Sequence, residues 1–158
     1  CLTDLEDEDI IMIGDCDEIP NANVLNLDRE ILKLKLTVYA YWLNNRSSEE
    51  FWGTIVGRYR AIKNKCLNHL RQNENIKMQI ECGWHFTSLA PYLKQKLQDS
   101  YTKETYATDQ VLSNLEKNIS ENKDFLGRDF TYKIDESEWP QWLIEHKKEY
   151  SQLCLKTR

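Results

Sequence analysis

The 158-residue sequence predicts a mainly α-helical single domain of about five helices with a minor β element, set behind an acidic N-terminal arm; α+β is the alternative. Three observations carry this expectation. Gly and Pro number only 5 and 3, too few for the turns of a many-stranded sandwich or barrel. Ser47-Ser48-Glu49-Glu50 has the Ser-x-x-Glu spacing of a capping box, and apolar residues then recur at three- and four-residue steps. Hydrophobic residues make up 41% and aromatic residues 11% of the chain, enough for one buried core and too much for a disordered polypeptide.

Residues 1–21 form the arm. Its first 18 positions hold eight acids and no base, so the net charge of -5 belongs there and the remainder of the chain is mildly basic. A terminal run of like charge is a solvated segment, or one that pairs with something basic. Residues 22–158 form the domain, and the breaker stretch Pro20-Asn21-Ala22-Asn23 marks the boundary between arm and domain. From Asp28 to Asn45 two patterns compete. Ile31, Leu34, Val38, Tyr41 and Trp42 fit a helical stripe, while Leu32, Leu34, Leu36, Val38, Ala40 and Trp42 alternate as in a strand. The long stretch without a turn signal decides for helix.

Trp52, Ile55, Val56, Tyr59, Ile62, Cys66, Leu67 and Leu70 mark the core helix of the domain, running to about Arg71. Ile76, Met78, Ile80, Cys82, Trp84 and Phe86 alternate as in a strand, and the segment 76–86 is left open between strand and helix. A helix over 88–101 carries Pro91 in its first turn, where proline is tolerated, and another spans Thr108 to Ile119. Asn122 to Asp135 reads as a packed loop or minor strand. Ser137 is expected to cap a last helix whose Trp139, Trp142, Leu143, His146, Tyr150 and Leu153 share one face.

The longest uncharged apolar run, Leu36 to Leu43, falls far short of a membrane span, so no membrane partner is expected. A first residue that is Cys rather than Met suggests a fragment or a processed chain. Five cysteines, an odd and scattered set, read as reduced thiols of a nuclear or cytoplasmic protein. The basic face from Arg58 to Arg71 reads as a solvated helix surface rather than a nucleic-acid site, and no cofactor is expected.

Three constellations carry candidate chemistry. Ile10-Ile11-Met12-Ile13, flanked by Asp9 and Asp15, is an apolar, β-branched segment between acids, suited to adding a strand to an exposed sheet edge. It resembles a SUMO-interacting motif, and the resemblance implies SUMO or another chain of a nuclear complex as the partner. The same residues also fit an edge strand packed on the chain's own body. Cys66-x-x-His69 and Cys82-x-x-His85 offer four ligands for a tetrahedral zinc, against the plainer reading of Cys66 as a core cysteine. Trp84, Trp139 and Trp142 are candidates for an aromatic partner groove.

Carboxylates are abundant but show no paired arrangement, and no nucleophile signature surrounds the cysteines. The sequence therefore predicts a non-catalytic adaptor domain of an intracellular, nuclear assembly. A small zinc-binding module and an unrecognised enzyme are the alternatives.

Overall fold

The computed structural model describes residues 4–73, 75–79, 81–100 and 102–156. Its framework is a sheet, not a helical bundle. In chain order the elements are β1 (Ile10–Ile13), β2 (Glu18–Pro20), β3 (Ile31–Ala40), β4 (Asn45–Arg58), α1 (Tyr59–Ile62), α2 (Leu67–Gln72), β5 (Met78–Gln79), β6 (Gly83–Thr87), α3 (Ala90–Asp99), α4 (Lys103–Tyr106), α5 (Asp109–Ser120), β7 (Tyr132–Ile134) and α6 (Gln141–Glu145). The strand order is β1-β4-β3-β6-β2, with β5 against β3 and β7 against β4. The expectation of a mainly α domain is thus corrected to a mixed fold built on a sheet.

Two segments account for the difference. Residues 31–42 follow their alternation: Leu32, Leu34, Leu36, Val38 and Ala40 are all buried. Pairing on both sides stabilises an unusually long strand, so length was the misleading criterion. The predicted core helix over 47–71 is instead β4 followed by two short helices. Phe51, Trp52, Thr54, Ile55 and Val56 are aromatic or β-branched and favour the pleated surface. Thr54, Ile55 and Val56 are buried in succession, as in a strand covered on both faces, and such a run has no period to read. Ser47 caps nothing; its hydroxyl accepts the Glu49 amide within the strand.

The residues cluster into two units, Cys1–Thr37 with Glu50–His85, and Val38–Glu49 with Phe86–Arg158. In the first, β1 lies antiparallel to β4 with Ile10 opposite Arg58 and Ile13 opposite Ile55. β2 lies antiparallel to β6 with Glu18 opposite His85. One cluster of this unit joins Leu32, Leu34, Leu36, Val56 and Cys82 with half-buried Leu25, Leu27 and Phe51. Another joins Ile55, Ile62 and Leu70 with Ile11, Ile13, Ile31 and Ile76. Residues 10–13 and 18–20 of the acidic segment are therefore strands of the sheet. β1 and β2 stand at the two ends of the strand order, yet only four residues join them. Four steps of about 4.8 Å across a flat sheet come to about 19 Å. The link from Ile13 to Glu18 reaches at most about 17 Å when fully extended, and it is a closed turn. This sheet is therefore strongly curled.

In the second unit, Ala40, Tyr41, Leu93, Leu97 and Leu115 form the core, with Trp42, Val111, Leu112 and Phe125 packed against it. Tyr41 turns the β3–β4 hairpin at φ 69°. Its hydroxyl donates to the Lys123 carbonyl at 3.0 Å and accepts the Phe125 amide at 2.8 Å, which holds that backbone in place. Thr108 caps α5 through the Val111 amide. The predicted last helix is reduced to α6, because Ser137 hydrogen-bonds Asp135 rather than a helix amide.

Candidate functional site

Between β1 and β2 the chain makes a four-residue turn closed by the Glu18 amide, which donates to the Asp15 carbonyl at 3.0 Å. The turn brings Asp15, Asp17 and Glu18 together at the start of an edge strand. The Glu18 side chain is withdrawn completely from solvent. Its carboxylate accepts the Thr54 hydroxyl of β4 at 2.8 Å and the Arg71 guanidinium of α2 at 2.6 Å. Two glycines make the room: a Cβ on Gly14 would stand 2.7 Å from Glu18 Oε2, and one on Gly53 would stand 2.8 Å from Oε1. A buried carboxylate needs this degree of hydrogen bonding to be tolerated at all.

Arg71 also reaches Asp15 through both terminal nitrogens, at 2.7 and 3.0 Å. That hydrogen bond, ahead of the opposing cost of burial, holds the Asp15 carboxyl below its ordinary value and raises the guanidinium's. Lys33 Nζ donates to the Arg71 carbonyl and fixes the end of α2. Beside this group, His85 Nε2 lies 3.5 Å from Asp17 Oδ2 and the imidazole packs against the Phe51 ring, tilted by 32° with centroids 4.0 Å apart. His85 Nδ1 is buried and has no hydrogen-bond partner among the described residues.

The two carboxylates on Arg71 are unequal. The Asp15 side chain is 63% exposed and that of Glu18 is not exposed. An exposed ion pair contributes about 0.2–1 kcal/mol, whereas removing one partner of a buried pair costs about 3–5 kcal/mol. Glu18 is accordingly the structural partner and Asp15 the exchangeable one. Chemically, the group presents a guanidinium fork suited to phosphate or carboxylate. Asp15 and Asp17, two residues apart, are carboxylates of the kind that hold a divalent cation jointly with a substrate phosphate.

The second unit has a polar network of a different kind. Asp124, 2% exposed, accepts the Arg128 guanidinium and the Tyr132 hydroxyl. Burial pushes its carboxyl up, but the hydrogen bonds from Arg128 and from backbone amides prevail and lower it. Every oxygen here is spent on holding the loop before β7, so this network is architecture.

A family model described as Glycosyltransferase family 17 matches residues 2–133, which is more than half of the chain. The chain belongs to glycosyltransferase family 17. No curated protein matches it, and no solved structure does. Membership in a glycosyltransferase family overturns the expectation of a non-catalytic adaptor, and with it the reading that assigned the chain to no domain family and to SUMO recognition. The matched residues 2–133 include the Asp15–Glu18 turn together with Thr54, Arg71 and His85.

The residues singled out in the sequence are dispersed. Ile10 to Ile13 form β1 on the chain's own sheet, with Ile11 and Ile13 turned to the core and Ile10 and Met12 exposed. The Asp9 carboxylate accepts the Glu6 amide. Trp84 lies on β6 in the first unit. In the second unit Trp139 is 5% exposed and donates to the Leu43 carbonyl, so it is core. Trp142, 54% exposed, stacks on His146. The zinc alternative fails on placement: Cys82 is packed among leucines, Cys66 is exposed at the start of α2, and no group of three or more His, Cys, Asp or Glu among the described residues could hold a metal ion. His85 does belong to a candidate site, but with Asp17 rather than with Cys66, His69 and Cys82.

Sequence reasoning missed Asp17, Glu18, Thr54 and Arg71, and took Asp15 as a flanking charge. The available signal was Asp15-x-Asp17-Glu18 placed directly after an apolar strand and before Pro20. It was absorbed into the arm's overall acidity.

Proposed function

We propose that the chain acts in glycosyl transfer and that the Asp15–Glu18 turn, with Arg71, handles the activated sugar donor. In such a reaction the bond between the anomeric carbon and a phosphate leaving group breaks. A bond to an acceptor hydroxyl forms, and the acceptor's proton passes to an oxygen of the departing phosphate or to solvent. The leaving group gains negative charge as the bond breaks, so preorganised positive groups are what the site must supply. Arg71 is such a group, held by Glu18 before any substrate arrives. Asp15 and Asp17 are the residues that would hold a divalent cation against the same phosphates. The family match over residues 2–133 is the observation that carries this reading.

The test is to incubate the full chain with a panel of nucleotide-sugar donors and hydroxyl acceptors and to measure nucleotide release. Release that depends on the acceptor and is lost in Asp17→Ala is the expected result. Release from no donor, or release that Asp17→Ala leaves intact, would overturn the assignment.

A further inference from the structure

Arg71 is shared by two carboxylates that differ in how they can be replaced. Glu18 is fully buried and has Thr54 as a second donor, so letting go of Arg71 would strand a charge away from water. Asp15 can be rehydrated where it stands, because its side chain is 63% exposed. The Arg71 side chain keeps 27% of its surface exposed, and its backbone carbonyl is held independently by Lys33. One partner is therefore permanent and the other is displaceable by a better anion. A phosphate offers more acceptor oxygens than a carboxylate to the same planar fork.

We propose that Arg71 is a phosphate-recognition residue masked by Asp15, with Glu18 as its anchor: a phosphate or diphosphate group takes the place of Asp15 on the guanidinium and releases the Asp15 carboxylate beside Asp17. This rests on the glycosyl-transfer reading for its substrate, whose leaving group is the anion concerned. The binding step itself needs no transfer to be observed. Asp15 then controls access to the guanidinium, and Glu18 acts as a positioning residue through Arg71.

Calorimetric titration of the full chain with inorganic pyrophosphate, in the presence of a chelator, tests the exchange. Asp15→Asn is expected to bind pyrophosphate about two- to fivefold more tightly than the unaltered chain, the range an exposed ion pair is worth. Adding Arg71→Lys to that variant should remove the gain and lower affinity about tenfold, because an ammonium cannot reproduce the fork. Asp7→Asn, which removes an exposed acid paired with Lys63, serves as the charge control and should leave affinity unchanged. Unchanged or weaker binding by Asp15→Asn overturns the proposal, as does an equal gain in Asp7→Asn. Asp15→Asn leaves the buried Glu18–Arg71 pair intact, so the proposal stays testable even if the Arg71 variant fails to fold. Pyrophosphate binding of the expected pattern without any sugar transfer would count against the transfer reading alone.

Discussion

The Thr54 hydroxyl donates to the buried Glu18 carboxylate at 2.8 Å, across 36 residues of sequence, and so ties the β1–β2 turn to the longest strand of the sheet. Glu18 is the centre of this arrangement. Glu18→Ala should cost about 3 kcal/mol, the low end for a buried pair because the Arg71 side chain keeps 27% exposure. Asp15→Ala should cost less than about 1 kcal/mol. Denaturant unfolding of the two variants side by side checks this, and equal losses would show that the two carboxylates share the load.

Room for Glu18 depends on a missing side chain. A Cβ at Gly53 would come within 2.3 Å of Phe51 Cε1 as well as crowding the Glu18 carboxylate. Gly53→Ala should therefore destabilise by about 1–3 kcal/mol, the usual cost of overpacking. A stabilised or unchanged variant would mean that β4 yields locally.

β1 should divide by alternate positions. Ile11 and Ile13 pack against Ile55, Ile62 and Leu70 while Ile10 and Met12 are exposed. Changing Ile11 and Ile13 to Ala should lose about 1–2 kcal/mol each, less than full burial would give because both are half-buried. The same change at Ile10 and Met12 should be nearly silent in thermal melts. The reverse ranking would place the strand one residue out of register.

Alkaline pH probes the second unit. Burial first, and then the neighbouring charge of Asp135 for Tyr39, pushes the phenols of Tyr39 and Tyr41 up from 10 to about 12. A group raised in the folded state contributes stability that is complete below its unfolded value. That contribution is lost as the pH climbs through the folded value. Stability should thus fall between about pH 10 and 12, with absorbance at 295 nm showing these phenols ionising only above the ordinary range. Ionisation of all tyrosines near pH 10 in the folded protein would contradict the burial.

Trp139 and Trp142 give a contrast within three residues. Trp139→Ala should cost about 3–5 kcal/mol, since the indole is buried and bonded to Leu43. Trp142→Ala should cost under about 1 kcal/mol, and acrylamide should quench its fluorescence far more readily than that of Trp139.

Much of the helical second unit was readable. The Thr108 cap and the Val111, Leu112, Leu115 and Ile119 pattern place α5 within a residue of its observed bounds. The sheet was harder because two of its strands break the usual signals in opposite ways. β3 alternates cleanly but is 10 residues long, so its length argued against its pattern. β4 does not alternate, and Trp52, Ile55, Val56, Tyr59 and Ile62 happen to fall at helical steps that run from a strand into α1. The candidate site was harder still. Its acids are adjacent in sequence, but Arg71 lies 53 residues from Glu18, and its helix meets the turn only through the fold. Charge composition records how many acids there are and nothing of which one is buried.

The curl imposed by the short link between β1 and β2 has a bearing on solubility. Outer strands of a sheet offer unpaired backbone groups on which other chains can assemble, and proteins guard them in several ways. Here the two outermost strands are strapped to each other by Gly14–Asp17, and one of them carries Pro20, which lacks the amide a neighbour would use. The segment that gathers the acids is thus also a guard against fibrous self-association. Lengthening it with an inserted flexible spacer would relax both edges at once and leave a protein that clumps before it unfolds.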